Sequence, residues 1–243
     1  MVAALAKAWE ASGNLCGKRL QPFLVAHCGE TTAGEYLHTL CMIDIATCWA
    51  ELRALPNRGQ TATFVAIQDA RSDGLPFPLL GIDSDNGGEF INDQLYRYCL
   101  EEQITFTRGR SGNKNDNAHV EQKNWSVVRR AVGYYRYDTP SQLDLLNRLY
   151  AVMHLYVNFF LPVAKLLEKS RQGSKVIRRY DEPRTPYARV LASPHVLEEH
   201  KAVLRETYEL LDLVYLRQQI DRLQDQLLDS VSRPSTSYLA LAR

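Results

Sequence analysis

Apolar positions along the chain fall into short continuous runs separated by amphipathic stretches. "PFLVAHC" (22–28) is short, apolar and strand-like, and "EYLHTLCMIDIAT" (35–47) is a better strand, rich in β-formers. "CWAELRAL" (48–55) follows closely enough to make a hairpin with it. In "GQTATFVAIQDARSD" (59–73), Phe64, Ile67 and Ala70 recur on one helical face. "FPLLGIDSD" (77–85) reads as strand, "FINDQLYRYCLEEQ" (90–103) as an amphipathic helix, and "ITFTRG" (104–109) as strand again. The polar, Gly/Asn-rich "RSGNKNDNAH" (110–119) reads as a loop. A helix is predicted from about Asn117 to Tyr135, and an apolar one over roughly 140–160. The order β-β-β-α-β-α-β-loop-α predicts an α/β fold, a mixed sheet with helices on its faces. Ligands of such sheets gather at the carboxyl ends of strands.

Outside this block the pattern changes. Residues 3–20 read as a short helix, a Gly-Asn turn and the start of another helix. The Pro-containing stretch 181–194 reads as a linker. Residues 195–231 are helical, with Leu204, Leu211, Leu216, Leu223 and Leu227 on one apolar face. That face fits either a dimerising helix pair or a helix folded back on the core. The tail beyond 231 is expected to fray.

At 243 residues and 45% hydrophobic, the chain can bury one main core with an appendage. A net charge of +1 means that any nucleic-acid contact must come from local patches. Five cysteines without a C-x-x-C favour reduced thiols and a cytoplasmic setting. His27, Cys28, His38 and Cys41 sit mostly inside strand-like runs, which argues against a structural zinc site. No apolar run reaches membrane-spanning length, and residues 1–22 lack the apolar core of a signal peptide.

The chemistry is concentrated in "LLGIDSDNGGEF" (79–90), where an apolar run ends abruptly in carboxylates with no basic neighbour. Strand-tip carboxylates without a cationic partner are costly unless a cation arrives from outside, and oxygen-only ligands suit Mg²⁺ or Mn²⁺. Asp85 stands at such a strand end. Glu121, 36 positions on in "NDNAHVEQKNWSVVRR", is the candidate second ligand, carried in the first turns of a helix. Asn117 lies one turn before it and Asn124 and Trp125 one turn after. Taken singly, D-N-G is also a good turn and Glu121 an ordinary solvated residue.

A strand ending in D-N-G-x-x-F, followed 36 positions later by a glutamate within N-x-x-V-E, resembles the integrase core of bacterial transposases and retroviral integrases. Insertion-sequence transposases are the nearest in pattern. The likeness covers about residues 24–160, and more loosely runs to about 230. It implies an RNase H-like mixed sheet flanked by helices, with a helical C-terminal extension, and a DDE triad that performs DNA transposition by metal-dependent phosphoryl transfer. Asp85 and Glu121 would be two ligands of a pair of Mg²⁺ or Mn²⁺ ions that activate a water or DNA 3′-hydroxyl. Asn86 and Gly87 would shape the turn, and Lys114 would cover the scissile phosphate. The implied partners are DNA, as transposon ends and target, and further copies of the chain, in the bacterial cytoplasm with no membrane.

The first acid of that triad belongs on the first, central strand, just before "LVAHCG", and Phe23 occupies the position. Asp44, in "IDIATCW", commonly has a structural role in the family, and it or Glu30 could substitute. Residues 1–22 resemble a remnant of the helical DNA-binding region, so an internal deletion of most of that region together with the first aspartate is inferred. The expected division is then a 1–22 remnant, a core over 23–160, a basic segment and linker over 161–194, helices over 195–231 and a tail. The basic segment holds Lys165, Lys169, Arg171, Lys175, Arg178, Arg179, Arg184 and Arg189 against three acids, with Tyr180 and Tyr187 interleaved. Lys114, Lys123, Arg129, Arg130, Lys175, Arg178 and Arg179 are the candidate DNA contacts.

Overall fold

The computed structural model describes residues 18–24, 36–84, 93–108, 124–133, 135–172 and 175–232, and every structural statement below concerns these. Two strands, β2 (His38–Asp44) and β3 (Ala50–Leu55), form an antiparallel hairpin in which His38 faces Leu55 and Ile43 faces Ala50. β1 (Lys18–Leu24) pairs antiparallel with β2 along its whole length, from Lys18 opposite Asp44 to Leu24 opposite His38. On its other side β1 runs parallel to β4 (Gly81–Ser84), which runs parallel to β5 (Thr105–Arg108). The order is β3-β2-β1-β4-β5. The first strand is central, as the RNase H-like reading requires.

Helices cover both faces, which is why β2 is buried at nearly every position instead of alternating between buried and exposed. On one side Leu40, Met42 and Ile82 meet α1 (Gln60–Asp69, continuing as a wider π-type turn over Ala70–Gly74) and α2 (Asp93–Glu101). On the other side Cys41, Ile43, Leu52 and Ala54 pack on α3 (Asn124–Arg129 and Arg130–Val132) and α4 (Pro140–Phe160). Thr139 caps α4, taking the Gln142 N–H while the Gln142 side chain reaches back to the Thr139 N–H, and Pro140 takes the first helical position.

Beyond α4 come a second sheet, the β6 (Leu166–Gln172) and β7 (Lys175–Tyr180) hairpin, and then α5 (Pro186–Ala192), α6 (Glu198–Glu209) and α7 (Leu213–Ser232). α7 folds back on the core: Ile220, Leu223 and Leu227 join the buried cluster of α4, and Gln224 Nε2 donates to the Ala131 carbonyl at 2.7 Å. This accounts for the apolar face of 195–231 without a second copy. Four expectations change in the structure. The first strand starts at Lys18, before Pro22, because all seven β1 residues register on β2. Residues 18–20 are therefore strand, and the helical reading of 3–17 lies outside the described residues. The basic segment 161–194 contains a β-hairpin. The supposed linker 181–194 contains α5, whose Thr185 side chain accepts from the Ala188 N–H and whose first position is Pro186.

β3 is an edge strand, and α4 closes its open side. Asn158, wholly buried, receives the Ala50 N–H at 2.9 Å and donates to the Ala50 carbonyl at 2.9 Å, while Asn147 receives the Ala54 N–H at 2.9 Å. An edge paired with side chains cannot recruit another strand at those positions. Asn158→Ala should lower unfolding stability by about 2 kcal/mol or more, because it orphans two buried backbone groups. Asn147→Ala, at an exposed helix position, should cost less than about 1 kcal/mol. Chemical denaturation of both variants checks this, and equal losses would contradict it.

Candidate functional site

The three strands at one end of the sheet, β1, β4 and β5, run in the same direction, so their carboxyl ends lie together. Gly81 allows β4 and β5 to approach closely, since a Cβ there would sit 3.3 Å from the Thr105 carbonyl oxygen. Ile82 points into the α1–α2 cluster, and its neighbours Asp83 and Ser84 are buried. Asp83 Oδ1 accepts a 2.7 Å hydrogen bond from Thr107 Oγ1, its direct partner across the ladder. A buried carboxylate thus precedes the D-N-G turn by one strand repeat. Sequence reasoning passed over Asp83, although the D-S-D spacing places residues 83 and 85 at the same strand parity.

Asp85 and Glu121 themselves lie outside the described residues, as do Asn86, Gly87, Lys114, Asn117 and Lys123. The chain on either side is placed: β4 ends at Ser84, and α3 begins at Asn124. Phe23 lies on the central strand, opposite Thr39 of β2. The β1–β4 ladder ends at the Leu20–Ser84 pair, with Gln21 the next β1 residue. No carboxylate occurs anywhere in β1, whose sequence is KRLQPFL. Asp44 is level with Lys18, which is level with Ile82, so Asp44 stands two strands away at the amino end of β4. Its Oδ2 accepts from the Thr47 N–H at 3.0 Å and from Thr47 Oγ1 at 2.6 Å, which commits the carboxylate to the β2–β3 turn. Glu30 lies outside the described residues. Among those described, no group of three or more His, Cys, Asp or Glu could hold a metal ion.

The cations divide into two sets. Arg129 is half-buried and Arg130 exposed on α3, and Arg178 and Arg179 are exposed on β7, where Lys175 opens the strand. Arg189 and Arg184 make ion pairs within the chain. Arg189 binds both oxygens of Asp181, at 2.7 and 3.1 Å, and the Val163 carbonyl at 2.7 Å, while Arg184 meets Glu182 at 3.0 Å. Lys165 donates through its backbone N–H to Asp181 Oδ1 and through Nζ to the Ala46 carbonyl. Burial works against the Asp181 charge, but Arg189 and the Lys165 N–H hold its carboxyl below the ordinary aspartate range. The Arg189 and Lys165 bonds to Asp181 form the root of the β6–β7 hairpin, while the Arg184–Glu182 pair lies at the surface.

A cavity of about 940 Å³ follows the open side of β3 between α1 and α4, lined by Glu51, Arg53, Asp69, Asn147 and His154 among others. Glu51 is buried and fully engaged. Its Oε1 accepts from Trp49 Nε1 at 2.8 Å and lies 3.2 Å from His154 Nδ1, and its Oε2 meets Arg53 at 3.1 Å. Burial opposes its charge, yet His154 and Arg53 keep the carboxyl below its ordinary range. Every partner is intramolecular, and the cluster ties the β2–β3 hairpin to α4.

No family model matches the chain. It is 42% identical over 165 residues to the uncharacterized protein y4rM of Sinorhizobium fredii (strain NBRC 101917 / NGR234), an alignment covering 68% of this chain and 47% of that protein. The chain thus spans about half the length of the curated relative it matches. Among solved structures it is similar to the catalytic core domain of BIV integrase, with 16% identity, a TM-score of 0.42, and coverage of 73% of this chain and 95% of that one. It is also similar to a chain of a simian T-cell lymphotropic virus intasome in complex with PP2A regulatory subunit B56 gamma. There the identity is 14%, the TM-score 0.44, and the coverage 60% and 49%. The RNase H-like assignment stands on the strand order and directions themselves.

The hairpin root makes a testable switch. A carboxyl held below its ordinary value of 3.8 contributes stability above that pH and loses it as pH falls through the lowered value. Arg189→Ala at neutral pH should speed amide exchange over 163–184 by about tenfold, the equivalent of about 1.4 kcal/mol, while α4 exchanges as before. Acidifying the wild type through that lowered value should loosen the same region, after correction for intrinsic rates. Uniform acceleration across the whole chain would contradict a local clamp.

Proposed function

We propose that this chain is an integrase-type core of the DNA transposition and integration class, whose metal site is incomplete. One observation carries the reading. β4 runs parallel beside the central strand, ends at Ser84, and leads in sequence directly into the D-N-G-G-E-F stretch that begins at Asp85. Asp85, with Glu121 three positions before α3 in sequence, would offer oxygen donors of the kind Mg²⁺ or Mn²⁺ prefers. In such a site the ions would supply an activated nucleophile and neutralise the leaving oxygen.

The rest of the donor set does not fit two ions. β1, the strand that should bring the first acid, carries none, and Asp44 is engaged in its turn at the other end of the sheet. The consequence for function is a core that retains DNA handling and assembly with transposase-like partners while strand transfer is lost. An active enzyme with Asp44 as its third ligand is the alternative, and the distance of Asp44 along the ladder from the end of β4 weighs against it.

A strand-transfer assay in Mn²⁺ separates these readings. The unmodified chain should be silent, and Phe23→Asp or Gln21→Asp should give partial activity that disappears when Asp85→Asn is added. Robust activity in the unmodified chain, abolished by Asp44→Asn, would overturn the proposal.

A further inference from the structure

We infer that the β6–β7 hairpin is a DNA-docking ribbon that meets a duplex with one of its two faces, the one bearing Lys169, Arg171, Arg178 and Tyr180. This rests on the reading of the chain as a DNA-handling core and specifies where the backbone contact is made. The hairpin forms its own two-stranded sheet, and Lys169, Arg171 and every residue from Val176 to Tyr180 are exposed. Among the described residues no helix or third strand covers it, and an isolated two-stranded ribbon is marginal in water, so its faces are offered to an external partner.

Register sorts the side chains. Lys169 faces Arg178 and Arg171 faces Val176, so these four share a face, with Tyr180 next along the strand. That face carries three cations and no acid. On the opposite face Glu168 faces Arg179, Ser170 faces Ile177 and Gln172 faces Lys175, so an acid stands among the cations there and lies directly across from Arg179. Arg178 and Arg179, adjacent in sequence, therefore cannot both contact one phosphate backbone from the strand.

The Lys169–Arg178 pair identifies the partner. Like charges directly opposite on a ladder destabilise it, and among the described residues neither side chain has an ion pair. A polyanion removes that cost. Lys169 and Arg171, two residues apart on one strand, are separated by about 6.6 Å. Tyr180, 52% exposed at the end of the same face, adds an aromatic surface against sugar. A two-stranded antiparallel ribbon also fits the width of a DNA groove. The root bonds of Asp181 with Arg189 and Lys165 fix the ribbon's direction from the core, so the face is presented and not free to swivel.

The test is fluorescence anisotropy of the full chain with a labelled random-sequence duplex, titrated at several NaCl concentrations. Lys169→Gln with Arg178→Gln should reduce the magnitude of the log K versus log salt slope by about 1.8, two phosphate contacts at about 0.9 each. Arg179→Gln should leave the slope unchanged. Without DNA, Lys169→Gln should melt no lower than wild type, which separates lost contact from lost folding. An equal fall in slope for Arg178→Gln and Arg179→Gln would overturn the face assignment. No change in the double variant, or a sedimentation shift showing that the face pairs two copies of the chain, would overturn the docking proposal. Because binding is read without strand transfer, silence of every variant in the catalytic assay would leave this result standing.

Discussion

The sheet depends on one helix closing it from two directions. α4 lays Leu146, Leu149, Tyr150, Met153 and Val157 over the face of β2 and β3, and turns Asn147 and Asn158 to the backbone of the β3 edge. Tyr150 reaches through that face to Thr39 Oγ1 at 2.7 Å in a fully buried contact. The apolar contacts give the burial energy, and the amide bonds remove an open edge that would otherwise recruit another strand. With the outer edge held by a helix, β1 keeps the central place and β4 lies beside it. The position of the carboxyl end of β4 follows from that.

The same helix organises the buried polar groups. His154 and Asn158 sit one turn apart on α4, and His154 meets Glu51, which also receives Trp49 and Arg53. Gly74 closes the far side, where an added Cβ would fall 2.3 Å from Glu51 Oε2, while its carbonyl accepts from Trp49 Nε1. A buried carboxylate with this many donors is tolerable only while all are present, since removing one partner leaves an uncompensated charge. Glu51, Asp83 and Asp44 therefore divide the acids of the sheet into structural groups with internal partners. Asp85 and Glu121 are the acids for which the chain supplies a motif.

Legibility in the sequence followed burial. β2, β3, α1 and α4 were readable because one or both faces are apolar, and the Thr139-Pro140-x-Gln142 start of α4 is a capping signal written in consecutive residues. The β6–β7 hairpin was not, because both its faces are solvated and "LLEKSRQ" and "KVIRRY" show no apolar alternation. The Gly-Ser pair between two basic runs, with Val176 and Ile177 after it, was the available signal. α5 was hidden by its prolines, although Thr185-Pro186 is a helix start. Arg189 looked like a phosphate contact because its partner Asp181 lies eight residues away, a spacing no local rule pairs. Asp83 was overshadowed by the adjoining motif, and its cross-strand bond to Thr107 depends on a β4–β5 register that sequence alone does not fix.

The central proposal is that Asp85, which follows β4 in sequence, and Glu121, which precedes α3, together hold one divalent ion. Manganese binding followed by electron paramagnetic resonance on the purified chain tests it most directly. The account predicts one saturable ion per chain, lost in Asp85→Asn and in Glu121→Gln and retained in Asp44→Asn. Binding that survives both of the first two substitutions, or that disappears with Asp44→Asn alone, would contradict it.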